Sequence, residues 1–248
     1  MRVLLKVAYD GTSYSGWQIQ PNATTVEGVL REQLNALFSQ EIDVIGASRT
    51  DAGVHAMGNV AVFDIETRIP AQKIAYALNS RLPDDIRVQL SAQVPDDFHP
   101  RHTNCTKTYE YSIWNDTFEN PKERLYSHFY YGKLDVDKMN QAAKYFVGEH
   151  DFTSFCSAGS QVIDKVRNVY SLEVNKIDRL IKIRVTGNGF LYNMVRIIAG
   201  TLIKVGQGLT DPDDIPKIIQ GMDRQLAGPT APARGLTLVG IQYEEIDL

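Results

Sequence analysis

The sequence predicts an α+β fold of two ferredoxin-like βαββαβ halves, with mostly antiparallel sheets and a cleft between them. Three observations carry that prediction. Apolar, β-branched runs of strand length recur along the chain; segments with helical apolar spacing fall between them; and the order strand, helix, strand, strand, helix, strand is met twice. The 248 residues suffice for two such halves, each with a core of its own.

Met1 to Tyr9 is apolar and β-branched enough for a buried strand, and a Gly, Ser, Asn and Pro loop follows to Ala23. Thr24, three residues before Glu27, reads as a capping box for a helix in which Val26, Val29, Leu30, Leu34, Leu37 and Phe38 recur at helical spacing. Ile42 to Ala47 reads as a strand, and NVAVFDIE, after the loop SRTDAGVHA, as another. Pro70 opens a second helix with Ile74, Ala77 and Leu78 on its apolar face, and Ile86 to Val94 completes the set. This is the split βαββαβ order, in which two helices cover one face of a sheet.

The second half repeats the order. Thr108 to Trp114 reads as a strand and Val136 to Phe146 as a helix. Asn168 to Asn175 and Leu180 to Thr186 form a hairpin turning near Ile177 and Asp178. A long helix from about Phe190 carries Leu191, Met194, Val195, Ile198 and Leu202; a shorter one follows Asp213; and Leu236 to Tyr243 is the last strand. The halves are expected at residues 1–103 and 104–248, joined in the acid-free strip FHPRHTNCTKT.

Composition removes several classes. Only Cys105 and Cys156 are present, without metal-site spacing, which fits a reducing compartment and a cytoplasmic setting. No apolar stretch reaches the length of a membrane span, and no signal-peptide pattern opens the chain. The net charge of -4 weighs against a nucleic-acid partner unless basic residues gather locally, as Arg101 and Lys107 do in the acid-free strip. His99, His102 and Cys105 are spaced by threes, but Pro100 between them favours a loop over a metal-binding helix face. The glycine pairs in GNGF and GQGL match no nucleotide-cradling pattern, and neither HExxH nor GxSxG occurs. No metal and no cofactor is expected.

What remains is Asp, Arg and Tyr. The loop SRTDAGVHA holds Arg49, Asp51 and His55, although an Asp two residues before a Gly also makes an ordinary turn. In FLYNMVRIIAG, Arg196 interrupts an apolar helix face, so its guanidinium either reaches the surface along its stem or meets an anion. Tyr109 and Tyr111 alternate onto one face of a strand, where such rings stack within a sheet or are offered to unstacked bases.

Together, SRTDAGVHA, KTYEY, FLYNMVRIIAG and GPTAPARGL, in that order over nearly the whole length, resemble the tRNA pseudouridine synthase A family. The resemblance implies an isomerase that converts uridine to pseudouridine at positions 38 to 40 of the tRNA anticodon stem-loop, as a homodimer without metal or cofactor. It also implies roles. Asp51 matches the catalytic aspartate and Arg49 the arginine that helps displace the target base. Tyr109 matches the tyrosine that stacks on uracil, and Arg196 the arginine that pairs with the catalytic carboxylate. GPTAPARGL is then expected to line the same cleft, and Arg101 and Lys107 to contact RNA. Two departures bear on backbone contacts: Pro100 stands where a small residue is expected, and Tyr192 with Asn193 replaces a more basic pair.

The chemistry explains these residue types. The reaction breaks C1′–N1, turns the uracil and rejoins it through C5, so an electron-poor C1′ must be stabilised and a detached base retained. A carboxylate serves the first need by attack on C1′, by taking the 2′ proton or by attack on the base. Extrusion of the nucleotide gives it access. The rival readings are a binding module of two RNA-recognition-like units, for which no RNP1 string is present, and an N-glycosidase-like hydrolase.

Overall fold

The computed structural model describes residues 1–160, 162–244 and 246. Its elements are β1 (Arg2–Tyr9), α1 (Val26–Phe38), β2 (Ile45–Gly46), β3 (His55–Asp64), α2 (Ala71–Asn79), β4 (Ile86–Val94), β5 (Cys105–Asn115), β6 (His128–Tyr130), α3 (Val136–Ala143), β7 (Gly148–Asp151), β8 (Val166–Ile177), β9 (Leu180–Gly187), α4 (Met194–Gly206), α5 (Ile215–Gln220) and β10 (Leu236–Tyr243). The chain divides into one unit of Met1–Cys105 with Thr237–Leu248 and a second of Thr106–Leu236.

In the first unit β1 lies between β3 and β4, antiparallel to both, so that Leu4 stands opposite Val62 on one side and Ala92 on the other. β2 continues on β3 at Gly46 and Ala61, completing the order β4, β1, β3, β2 of a split βαββαβ unit. Val26, Leu30 and Leu34 of α1, with Ile74 and Leu78 of α2, are fully buried. Each such side chain contributes about 1.5–3 kcal/mol relative to exposure.

Helix α1 starts differently from expectation. Thr25, not Thr24, is the cap, its Oγ1 accepting from Gly28 N–H at 3.3 Å. Glu27 does not reach back to the cap; its carboxylate accepts from Ile19 N–H at 2.9 Å. The loop after β1 explains this, because its Gly16 and Trp17 carbonyls already take the N–H groups of Val26 and Glu27. The strand expected over Ile42 to Ala47 is only Ile45–Gly46, since Asn35 Oδ1 draws off Ile42 N–H at 2.8 Å.

In the second unit β9 runs antiparallel between β5 and β8, with Tyr109 opposite Val185 and Leu172 opposite that same residue. The β8–β9 hairpin turns through Asp178, at φ +54°. Two short strands were not expected: β6, parallel to β5, and β7, antiparallel to β8. Only Arg196 and Lys204 of α4 escape full burial, which marks Arg196 as an exception in an apolar cylinder. The helix begins at Met194, four residues later than expected, because Asn193 adopts a left-handed conformation at φ +61°. α3 likewise tightens into a 3-10 turn at Lys144–Phe146 instead of continuing.

One expectation about the halves is corrected. Leu236 to Tyr243 was placed in the second half, residues 104–248, yet β10 pairs in parallel with β3, Thr237 opposite His55 and Leu238 opposite Ala56. From Thr237 onward the chain therefore belongs with the first unit. Tyr243 reinforces this, since its hydroxyl donates to Pro100 O at 2.7 Å and its ring meets Phe98 edge-on at 5.0 Å.

Candidate active site

In the first unit the loop between β2 and β3 is pinned from beneath. Asp51 O accepts from Val54 N–H at 3.1 Å, and Gly53 between them has φ +76°, so Asp51 opens a tight turn. The turn foreseen for an Asp-x-Gly sequence is there. The segment after β1 lies against it: Thr50 O receives Trp17 N–H at 3.0 Å, and Tyr14 O receives Gly53 N–H at 3.2 Å. Gly16, at φ +90°, makes the approach feasible, for a Cβ there would lie 2.6 Å from Thr50 O.

Buried side chains complete the clamp. Tyr9 OH and Thr50 Oγ1 share a hydrogen bond of 2.7 Å, and Asn59 Nδ2 donates to Ser48 O at 3.0 Å and to Tyr9 OH at 3.4 Å. All four residues are buried, so each polar atom held here avoids a desolvation cost of about 1–3 kcal/mol. Thr50 is thereby fixed inward, and the neighbours alternate: Arg49 is exposed and Asp51 half-buried. A fixed backbone with a half-open carboxylate is the arrangement a reacting group requires.

Arg49 and Arg101 share an electrostatic neighbourhood. Burial pushes the Glu27 carboxyl up, while Ile19 N–H and the fields of Arg101, Arg49 and Arg31 pull it down. Neither the Arg49 nor the Arg101 guanidinium has a side-chain ion pair or hydrogen bond among the described residues, and both are exposed. Cations held in this way are open to an anionic ligand. His99 and His102 lie with ring centroids 4.1 Å apart and planes tilted by 39°, and among the described residues no three metal-ligating side chains gather.

In the second unit Tyr109 is buried, and its ring stands edge-on to Phe190 at 5.2 Å. Tyr111 is sequestered more deeply. Its hydroxyl donates to Pro232 O at 2.9 Å, and burial raises its pKa against the opposing fields of Arg196 and Arg234. Arg196 is half-buried; its Nε donates to Ala231 O at 2.7 Å and its Nη1 to Asn193 Oδ1 at 2.8 Å. Lys107 is half-buried on β5, opposite Gly187.

GPTAPARGL folds along α4. Gly228 N–H donates to Thr201 Oγ1 at 2.8 Å, Pro229 O packs so closely on Gly200 that a Cβ there would lie 1.8 Å away, and Ala231 N–H returns to Arg196 O at 3.1 Å. This string thus builds the surroundings of Arg196. Arg49, Asp51 and Arg101 belong to the first unit, and Lys107, Tyr109 and Arg196 to the second. Sequence reasoning missed Tyr9, Asn59, the Tyr14 and Trp17 backbone, and Asn193 as supporting groups. The glycines around Tyr14 and Trp17 were the available signal.

Comparison with known proteins defines the class first. The family model described as tRNA pseudouridine synthase matches residues 6–102 and 142–244, spans that include Asp51 and Arg196. The chain belongs to the tRNA pseudouridine synthase family, whose members are isomerases. Among its relatives, the tRNA pseudouridine synthase A of Ruminiclostridium cellulolyticum is 50% identical over 243 residues, covering 98% of this chain and 99% of that one. The protein of the same name from Brevibacillus brevis is 48% identical over 242 residues, covering 98% and 99%. That of Bacillus pumilus is 45% identical over 247 residues, covering 98% and 100%.

Proposed function

We propose that this protein isomerises uridine to pseudouridine in tRNA, at positions 38 to 40 of the anticodon stem-loop, with Asp51 as the catalytic carboxylate. The observation that carries the reading is the clamped turn, which holds a half-open Asp51 beside an exposed Arg49 within a chain of this family. Arg196 acts as the cation that keeps the carboxylate ionised, Tyr109 stacks on the uracil, and Arg49 helps displace the target base. Arg101 and Lys107 contact the RNA backbone. The protein works in the cytoplasm as a homodimer, and its reaction uses neither metal nor cofactor.

The balance of the reaction is closed. C1′–N1 breaks and C1′–C5 forms, the C5 proton leaves, and N1 takes a proton in its place. Asp51 supports the electron-poor C1′ by direct attack, by taking the 2′ proton, or acts by attack on the base. Stacking on Tyr109 contributes about 1–3 kcal/mol to retention of the free uracil.

The test is tritium release from tRNA transcripts labelled at C5 of uridine, with each stem-loop uridine replaced in turn. Wild type releases tritium, and Asp51→Asn binds the transcript while turnover falls on the order of 10³-fold or more. No release from any transcript excludes the synthase reading, and free uracil among the products identifies a hydrolase instead.

A further inference from the structure

Asn193 occupies the N-cap position of α4, yet its side chain makes no capping hydrogen bond. A cap asparagine ordinarily turns Oδ1 onto a backbone N–H of the first helical turn, which stabilises the helix. Here Oδ1 accepts from Arg196 Nη1 at 2.8 Å, and Nδ2 donates to Ser157 Oγ at 3.0 Å. The orientation of the amide follows from chemistry, since a guanidinium only donates and must face the oxygen. The backbone also sits at φ +61°, a conformation that is unfavourable for a side chain-bearing residue. Two favourable local options are thus given up to place one carbonyl oxygen on Arg196.

The geometric consequence concerns the plane of the guanidinium. Nε donates to Ala231 O and Nη1 to Asn193 Oδ1, so the guanidinium is gripped at two of its donors, and the grip at Nη1 bears on its plane as well as its position. Ser157 in turn donates its N–H to Tyr192 O at 3.1 Å, so the amide is itself held from the far side. We propose that Asn193 is a positioning residue for the synthase reaction, its Oδ1 fixing the plane of the Arg196 guanidinium while Ser157 steadies the amide. This rests on the reading that Arg196 keeps the catalytic carboxylate ionised.

The experiment uses the full chain in single-turnover assays on tRNA transcripts, comparing Asn193→Gly, Asn193→Asp and Arg196→Met with wild type across pH. Glycine adopts φ +61° without penalty, so Asn193→Gly removes the side chain and spares the backbone. Its melting temperature and tRNA affinity are expected near wild type, while the rate falls about tenfold, the scale of one hydrogen bond to a charged group. The acidic limb of its rate profile is expected to move to higher pH, because a loosely held cation keeps the carboxylate ionised less well. Asn193→Asp retains an acceptor for Nη1 and is expected within about threefold of wild type. Each limb is a ratio within one variant, so partial loss of folded protein does not move it. Wild-type rate and limb for Asn193→Gly, or equal slowness of the Gly and Asp variants, overturns the positioning role. Wild-type turnover by Arg196→Met instead overturns the underlying reading of Arg196, whatever residue 193 does.

Discussion

At the scale of single residues, the side chains proposed for the chemistry are ones that local rules leave unexplained. Arg196 breaks an otherwise buried helix face, and carbonyl and amide oxygens meet two of its donors. Tyr109 and Tyr111 alternate onto one strand face, but the ring of Tyr109 meets Phe190 at a steep angle while the hydroxyl of Tyr111 is tied to Pro232 O. The proposed stacking of Tyr109 on uracil leads to a graded expectation. Tyr109→Phe should bind tRNA within about twofold of wild type, whereas Tyr109→Ala should lose about 1–3 kcal/mol of affinity or transition-state stabilisation. Fluorescence titration and single-turnover rates on one transcript measure both, and equal behaviour of the two variants would remove stacking from the account.

At the scale of elements, the loop after β1 is as consequential as the loop that carries Asp51. It supplies carbonyls to the first N–H groups of α1 and backbone partners to Thr50 and Gly53, so one segment sets both a helix start and the turn that carries Asp51. Gly16→Ala therefore tests the coupling. Its φ of +90° and the 2.6 Å approach to Thr50 O leave no room for a methyl group, and a loss on the order of 2 kcal/mol or more is expected. In a chain of this size that lowers the melting temperature by about 4–8 °C. Turnover should fall more than the stability loss alone explains, because the turn beneath Asp51 shifts; a variant melting low with wild-type turnover per folded molecule would separate the two loops. The threonine cap was legible in the sequence but misplaced by one residue, and no capping box forms: Thr25 serves Gly28 N–H, the loop carbonyls of Gly16 and Trp17 serve Val26 and Glu27, and the Glu27 carboxylate turns to Ile19 instead.

At the scale of the whole molecule, acid stability can be read from the edge of the first unit. Arg2 grips Asp64 with two hydrogen bonds of 2.9 and 2.7 Å, which together with its charge hold the Asp64 carboxyl below the ordinary 3.8 despite partial burial. A carboxyl with a depressed folded pKa stabilises the fold fully above its unfolded pKa and loses that contribution as pH falls through the folded value. Asp64→Asn is therefore expected to melt lower than wild type at pH 7, by a small margin because the pair is solvent-exposed, and the difference should close below pH 3.8. Thermal melts from pH 7 to pH 2 check this, and a gap that persists undiminished in acid would assign the effect to packing.

Strand alternation, helical spacing and the Asp-x-Gly turn were determined by the sequence alone, because backbone geometry imposes those patterns on stretches of a dozen residues or fewer. For the same reason Asp51 and Arg196 were visible as a charge in a turn and a charge on an apolar face. Only the tertiary structure decided that β10 pairs with β3 and that Tyr9 meets Thr50 across 41 positions, with Asn59 behind both. It also decided that Asn193 abandons its cap for Arg196. Such contacts are chosen by which polar atoms are buried together once the chain has packed, and no periodicity along the sequence encodes that choice.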